Sequence, residues 1–151
     1  MLKAYICSPY RAKTEAELDR HIEYAQKITR KALLAGVAPI TPHLYMTQCL
    51  NDNEEQEREA GIVAGLEILK SCDFIMVGVR YGISAGMSRE IAEADARGID
   101  VVNADKLPFY LKCRKCGAYA KYQSAKRKSE ADYIPACINA LKYFITEVKR
   151  E

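Results

Sequence analysis

The stretch Tyr81-Gly82-Ile83-Ser84-Ala85-Gly86-Met87-Ser88-Arg89-Glu90 brings two serine hydroxyls, two glycines and a carboxylate into ten residues. A serine and a glycine at the start of a helix offer a hydroxyl and backbone N–H groups to an anion. Glu90, in the first turn of that helix, points toward the same place. Such an acid is explained either by the helix dipole alone or by chemistry at the helix end. A second stretch, Cys7-Ser8-Pro9-Tyr10-Arg11, ends in a guanidinium whose planar fork suits phosphate or carboxylate. His43, after Pro42, is either a loop residue or a site residue.

A third constellation is Cys113-Arg114-Lys115-Cys116-Gly117, half of a zinc-ribbon knuckle. Cys137 is the one later cysteine and no histidine follows His43, so a complete local site of four ligands is impossible. Zinc at Cys113, Cys116 and Cys137 would need a distant or intersubunit ligand. The alternatives are a decayed ribbon or two free thiols, and no other cofactor is expected.

These residues need a scaffold. The 151 residues suit one domain with a modest extension, and 49% hydrophobic content makes disorder an unsuitable default. No apolar run approaches the roughly 20 residues of a membrane span, and no signal-peptide pattern opens the chain, so a cytoplasmic protein is expected.

Apolar runs at 2–7, 37–40, 73–79 and 99–103 read as buried strands. Helical spacing marks 19–35, 54–71 and 87–97. Gly36 and Gly98 end the first and third of these helices. The alternation β-α-β-α-β-α-β predicts an α/β, Rossmann- or flavodoxin-like parallel sheet of about four strands, with helices on both faces. Ligands in such sheets bind beyond the carboxyl ends of the strands, where both chemical stretches fall.

Charge divides the chain. Residues 1–105 hold 12 Lys/Arg against 16 Asp/Glu, whereas 106–129 hold eight basic residues and no acid. This predicts a domain over 1–105 and a basic, cysteine-containing extension over 106–151. Within the extension, Tyr110, Tyr119 and Tyr122 allow short strands or a hairpin, and 132–148 reads as an amphipathic terminal helix. The basic block either contacts nucleic acid or forms a solvated surface. The apolar stripe of the terminal helix must bury against the sheet or another subunit, and a homo-oligomer is expected, with that helix or the basic block at its interface.

Tyr5-Ile6-Cys7-Ser8-Pro9-Tyr10-Arg11, with Ser84-x-Gly86-x-x-x-Glu90 after Cys72-Asp73-Phe74-Ile75-Met76-Val77-Gly78, resembles the nucleoside 2-deoxyribosyltransferase superfamily. The pattern is most like a phage and bacterial branch with a Ser-Pro-Tyr-Arg start, a Pro42-His43-Leu44 segment and Gly86-Met87-x-x-Glu90-Ile91. The resemblance covers about residues 2–103. It implies N-glycosidic cleavage or transfer on a nucleoside or nucleoside 5′-monophosphate, with Glu90 as nucleophile. It also implies a 5′-phosphate contact at Ser84, as in the deoxynucleoside-monophosphate glycosidases of the superfamily. Substrate contacts are expected from Tyr5, Ser8, Pro9, Tyr10, Arg11, Asp73, Gly82, Ser84, Gly86 and Met87, and a proton from His43 or Tyr81. Asp73 also reads as a residue that caps its strand. The chain departs from the superfamily at Gly65, where a catalytic aspartate often stands. That leaves a nucleotide-binding or sensing module as the alternative, its basic extension contacting a partner or nucleic acid.

Overall fold

The computed structural model describes residues 1–115. Strand β1 (Lys3–Cys7) leads into helix α1 (Glu15–Leu34) and strand β2 (Ala38–Ile40). A one-turn helix α2 (Pro42–Tyr45) and a 3₁₀ turn (Met46–Gln48) precede helix α3 (Glu55–Leu69). Strand β3 (Phe74–Val77), helix α4 (Ala85–Ala96) and strand β4 (Asp100–Asn103) follow. Another 3₁₀ turn (Ala104–Lys106) opens helix α5 (Leu107–Lys115). All strand pairings are parallel, in the order β2-β1-β3-β4. This is the flavodoxin-like order, whose switch point lies between β1 and β3.

The period of two along β1 sorts the core into two layers. Ala4 and Ile6 pack with Ile28 and Ala32 of α1 and with Leu107, Tyr110 and Cys113 of α5. Tyr5 and Cys7 face the other way, toward Leu69 of α3 and Met87 and Ala94 of α4. Helix α1 presses tightly against the sheet at Gly78. A Cβ there would lie 2.3 Å from Ile28 Cδ1 and 2.9 Å from Tyr24 Cε1. The close approach fixes the exit of β3, from which the Arg80–Gly86 loop departs.

Several boundaries differ from the sequence expectation, each for a local reason. Helix α1 begins four residues earlier, because Thr14 accepts from Glu17 N at 3.2 Å and the Glu17 carboxylate accepts from Lys13 N at 2.8 Å. This variant of the capping box is written in the sequence as Thr14-x-x-Glu17. Helix α4 begins at Ala85 with Ser84 as its cap, so Gly86 belongs to the first turn and Glu90 to the second, not the first as expected. The segment around His43 is helical, started by Pro42 at the first position.

The first part of the basic block is a helix and not a hairpin. Leu107, Tyr110 and Cys113, one turn apart, bury against the sheet, and Pro108 is tolerated in a first turn. Tyr110 Oη donates to the buried Asp100 carboxylate at 2.9 Å and accepts from Arg114 at 2.6 Å. The remaining block (116–129), Tyr119, Tyr122, Cys116, Cys137 and the expected terminal helix (132–148) lie outside the described residues. Among the described residues, no helix is long and apolar enough to cross a membrane.

Candidate active site

A cavity of about 280 Å³ opens at the carboxyl ends of β1 and β3. Tyr5, Ser8, Tyr10, Arg11, His43, Ser84, Gly86, Met87 and Glu90 all line it. The two stretches singled out in the sequence therefore meet in one cleft.

Glu90 is anchored from the sheet. Tyr5 Oη donates to Glu90 Oε1 at 2.6 Å. The buried Cys7 thiol, on the same face of β1, is a second group that favours the ionised carboxylate. Burial pushes the Glu90 carboxyl above its ordinary range, and the two groups partly offset the shift. Burial and the neighbouring carboxylate push the Tyr5 phenol and the Cys7 thiol far up, so both keep their protons. The Tyr5 hydroxyl also fills the space beside Gly65 of α3. A Cβ on Gly65 would lie 2.8 Å from Tyr5 Oη.

Ser8 Oγ and His43 Nε2 share a hydrogen bond at 3.0 Å, and the His43 ring packs near Tyr10, centroids 6.2 Å apart. Burial lowers His43 to about 4, so its imidazole is neutral at pH 7. The β1–α1 loop is pinned from behind, where His21 Nδ1 donates to the Tyr10 carbonyl at 3.1 Å.

At the start of α4, Ser84 Oγ accepts from Met87 N at 3.3 Å while its own proton is left for another acceptor. The N–H groups of Ala85 and Gly86, at the first two helical positions, have no acceptor within the helix. Together with the exposed Arg11 fork they line the cavity's rim with hydrogen-bond donors and one positive charge.

Three expected substrate contacts do not line the cavity. Pro9 is buried in the loop below it. Gly82 is exposed, with φ +80°, and its N–H closes a turn to the Val79 carbonyl. Asp73 lies before β3, at the opposite end of the sheet. There its carboxylate accepts from Lys3 N at 2.7 Å, while Asp73 N donates to the Lys3 carbonyl. Asp73 ties strand starts together. Tyr81 packs edge-on to Tyr24 and tilted on His21, outside the cavity lining. Cys113 is buried in the core, and among the described residues no three His, Cys, Asp or Glu side chains cluster as metal ligands.

The sequence model of a family described as "Domain of unknown function (DUF7768)" matches residues 2–104. The chain belongs to this family. No curated protein matches it. Its fold is similar to that of a solved 2-deoxyribosyltransferase from Bacillus psychrosaccharolyticus. The TM-score is 0.49 and the identity 20%, over 67% of this chain and 70% of that one.

In this DUF7768 domain a further wall of the cavity comes from residues the sequence reading passed over. Met46, Thr47, Leu50 and Asp52 come from the segment between α2 and α3. Glu57, Arg58, Gly61 and Ile62 come from the first half of α3. Arg58, Gly61, Ile62 and Gly65 stand at i, i+3, i+4 and i+7, one stripe of a helix. That spacing was legible, but a stripe holding an arginine and two glycines does not read as a core face. Arg58 Nη1 donates to Asp52 Oδ2 at 3.3 Å, and Glu57 accepts from Asn51 N at 2.7 Å, which fixes the loop before α3.

Proposed function

We propose that this protein cleaves or transfers the N-glycosidic bond of a nucleoside or nucleoside 5′-monophosphate, with Glu90 as nucleophile. The observation that carries this reading is the Glu90 carboxylate, desolvated and held by Tyr5 Oη at 2.6 Å, in a cavity also lined by Arg11 and the start of α4. A carboxylate so held stabilises an oxocarbenium-like state and can trap it as a sugar ester.

In this scheme a Glu90 oxygen bonds to the anomeric carbon as the carbon–nitrogen bond breaks. The electron pair goes to the departing heterocycle, which takes up a proton from water in the cleft. Water or a second base then attacks the anomeric carbon and frees Glu90. Ser8 and Arg11 hold the sugar and phosphate, and the α4 N-terminus with Ser84 takes phosphate oxygens. His43, neutral at pH 7, serves as the hydrogen-bond partner of Ser8 and is too weak an acid in that form to protonate the leaving base.

A second reading, a nucleotide-binding or sensing module, is favoured by Gly65. The space where an acid side chain would begin is taken by the Tyr5 hydroxyl. Under that reading, basic residues from 106 onward contact a partner or nucleic acid.

The experiment is release of free base from a panel of nucleosides and 5′-monophosphates by wild type and Glu90→Gln. The enzyme reading expects turnover that Glu90→Gln lowers by roughly 10³-fold, with little change in affinity. Equal inertness of both proteins, with ligand still bound, would leave the binding module. Arg11→Ala should weaken monophosphate binding by about 2–3 kcal/mol and affect the nucleoside much less.

A further inference from the structure

We infer that Arg58 and Asp52 determine which heterocycle the site accepts, reading the edge of a 6-oxopurine. The inference rests on the nucleotide reading of the cavity. It starts from the α3 stripe. Gly65 lies beside Tyr5 and hence beside Glu90, while Arg58 is seven residues earlier on the same face. At 1.5 Å per residue the two positions are about 10 Å apart along the helix. A purine attached to a sugar carbon at Glu90 spans most of that distance, and a guanidinium covers the rest.

The surface between suits a flat ring. Gly61 contributes no side chain, and a Cβ there would already meet Leu50 Cδ1 at 3.3 Å. Leu50, Ile62 and Met46 supply apolar surface to the cavity. At its end stands the Asp52–Arg58 pair, whose side chains are 30% and 25% exposed. One guanidinium nitrogen is engaged by Asp52 at 3.3 Å. The other N–H groups of the fork remain able to donate to a ligand.

A fork of donors fits two adjacent acceptors. A 6-oxopurine presents O6 and N7 in that way, whereas a 6-aminopurine puts a donor where O6 would be. The Asp52 carboxylate beside the fork can accept from ring and exocyclic N–H groups. The same rules give a switch. A glutamine carboxamide pairs with the N6 and N7 of a 6-aminopurine, so Arg58→Gln should redirect the preference.

The test is calorimetric titration with 2′-deoxyguanosine and 2′-deoxyadenosine 5′-monophosphates, in the Glu90→Gln background so that no ligand is consumed. The parent should bind the guanine nucleotide at least 10-fold more tightly. Arg58→Gln should erase or reverse that ratio. Asp52→Asn should weaken the guanine nucleotide selectively, which gives the same readout from the loop if the arginine variant fails to fold. Equal binding of both nucleotides by the parent would overturn this inference and leave the nucleotide reading standing. Uniform weakening of both by Arg58→Gln, with the nucleosides unaffected, would make Arg58 a phosphate contact and also overturn it. Failure of every nucleotide to bind would sink both.

Discussion

The hydroxyl of Tyr5 lies 2.6 Å from the Glu90 carboxylate and 2.8 Å from where a side chain on Gly65 would begin. One phenol on the central strand thus links the candidate nucleophile on α4 to the bare face of α3. Its reach depends on the alternation of β1, which turns Tyr5 and Cys7 toward those two helices.

Tyr5→Phe should keep the fold, since the ring stays buried and only the hydroxyl is lost. Glu90 would then lose a donor that counters its desolvation, and its carboxyl should rise further. The acidic limb of the pH–rate profile should move to higher pH. Turnover should fall by about 10- to 100-fold, the worth of a hydrogen bond to a charged group. An unmoved profile would show that the contact does not tune Glu90.

Gly65→Ala should disturb the same contact from the helix side. Crowding a packed site costs about 1–3 kcal/mol, and alanine recovers about 1 kcal/mol over glycine in a helix. Stability should therefore change modestly while turnover drops. Adding Tyr5→Phe removes the clashing oxygen, so the double variant should be less destabilised than the sum of the two single ones in urea unfolding. Simple additivity would mean the hydroxyl and the Cβ do not collide.

Glu90→Gln should raise the thermal midpoint at neutral pH. The folded-state pKa of Glu90 lies above its unfolded value, so its contribution is full below the unfolded pKa and is lost as pH rises through the folded pKa. The amide does not titrate. Wild type and variant should melt alike near pH 4 and diverge as pH rises, with the variant more stable. Scanning calorimetry across that range measures it, and a destabilised variant at pH 8 would contradict the assignment.

His43 should make stability fall in acid. Its folded pKa is lowered to about 4 by burial, below the usual 6.5. The unfolded chain therefore binds the extra proton first. Its contribution is fully present above pH 6.5 and is lost as pH falls toward 4, to the extent of about 2–3 kcal/mol for a partly exposed ring. His43→Asn should flatten that part of the stability–pH curve. A slope unchanged by the substitution would show the ring charging freely in the folded protein.

The strands and the cleft were legible because their signals are local and of one period. β3 is apolar on both faces, and the two stretches ending in Arg11 and Glu90 follow strands directly. Asp73 was harder to place, because an acid next to a strand reads alike whether it faces ligand or ties chain starts together. Helix α5 was hidden by its charge. Lys106, Lys112, Arg114 and Lys115 drew attention from the three-residue spacing of Leu107, Tyr110 and Cys113. The α3 wall was missed because small and charged residues face a cavity there instead of a core. No periodicity in hydrophobicity reports a surface that must stay open.

The packing of α5 separates two ways of delimiting this molecule. The family's shared sequence ends at residue 104, yet Leu107, Tyr110 and Cys113 are at most 3% exposed against the sheet. Burying a large side chain of this kind stabilises by about 1.5–3 kcal/mol, so a fragment cut at the end of the shared sequence would leave wet the part of that sheet face that α1 does not cover. The heritable module and the shortest stable fragment are thus different lengths. Expression trials should start from chains that keep at least residue 115, and sequences sharing only the first 104 residues must cover that side of the sheet by other means.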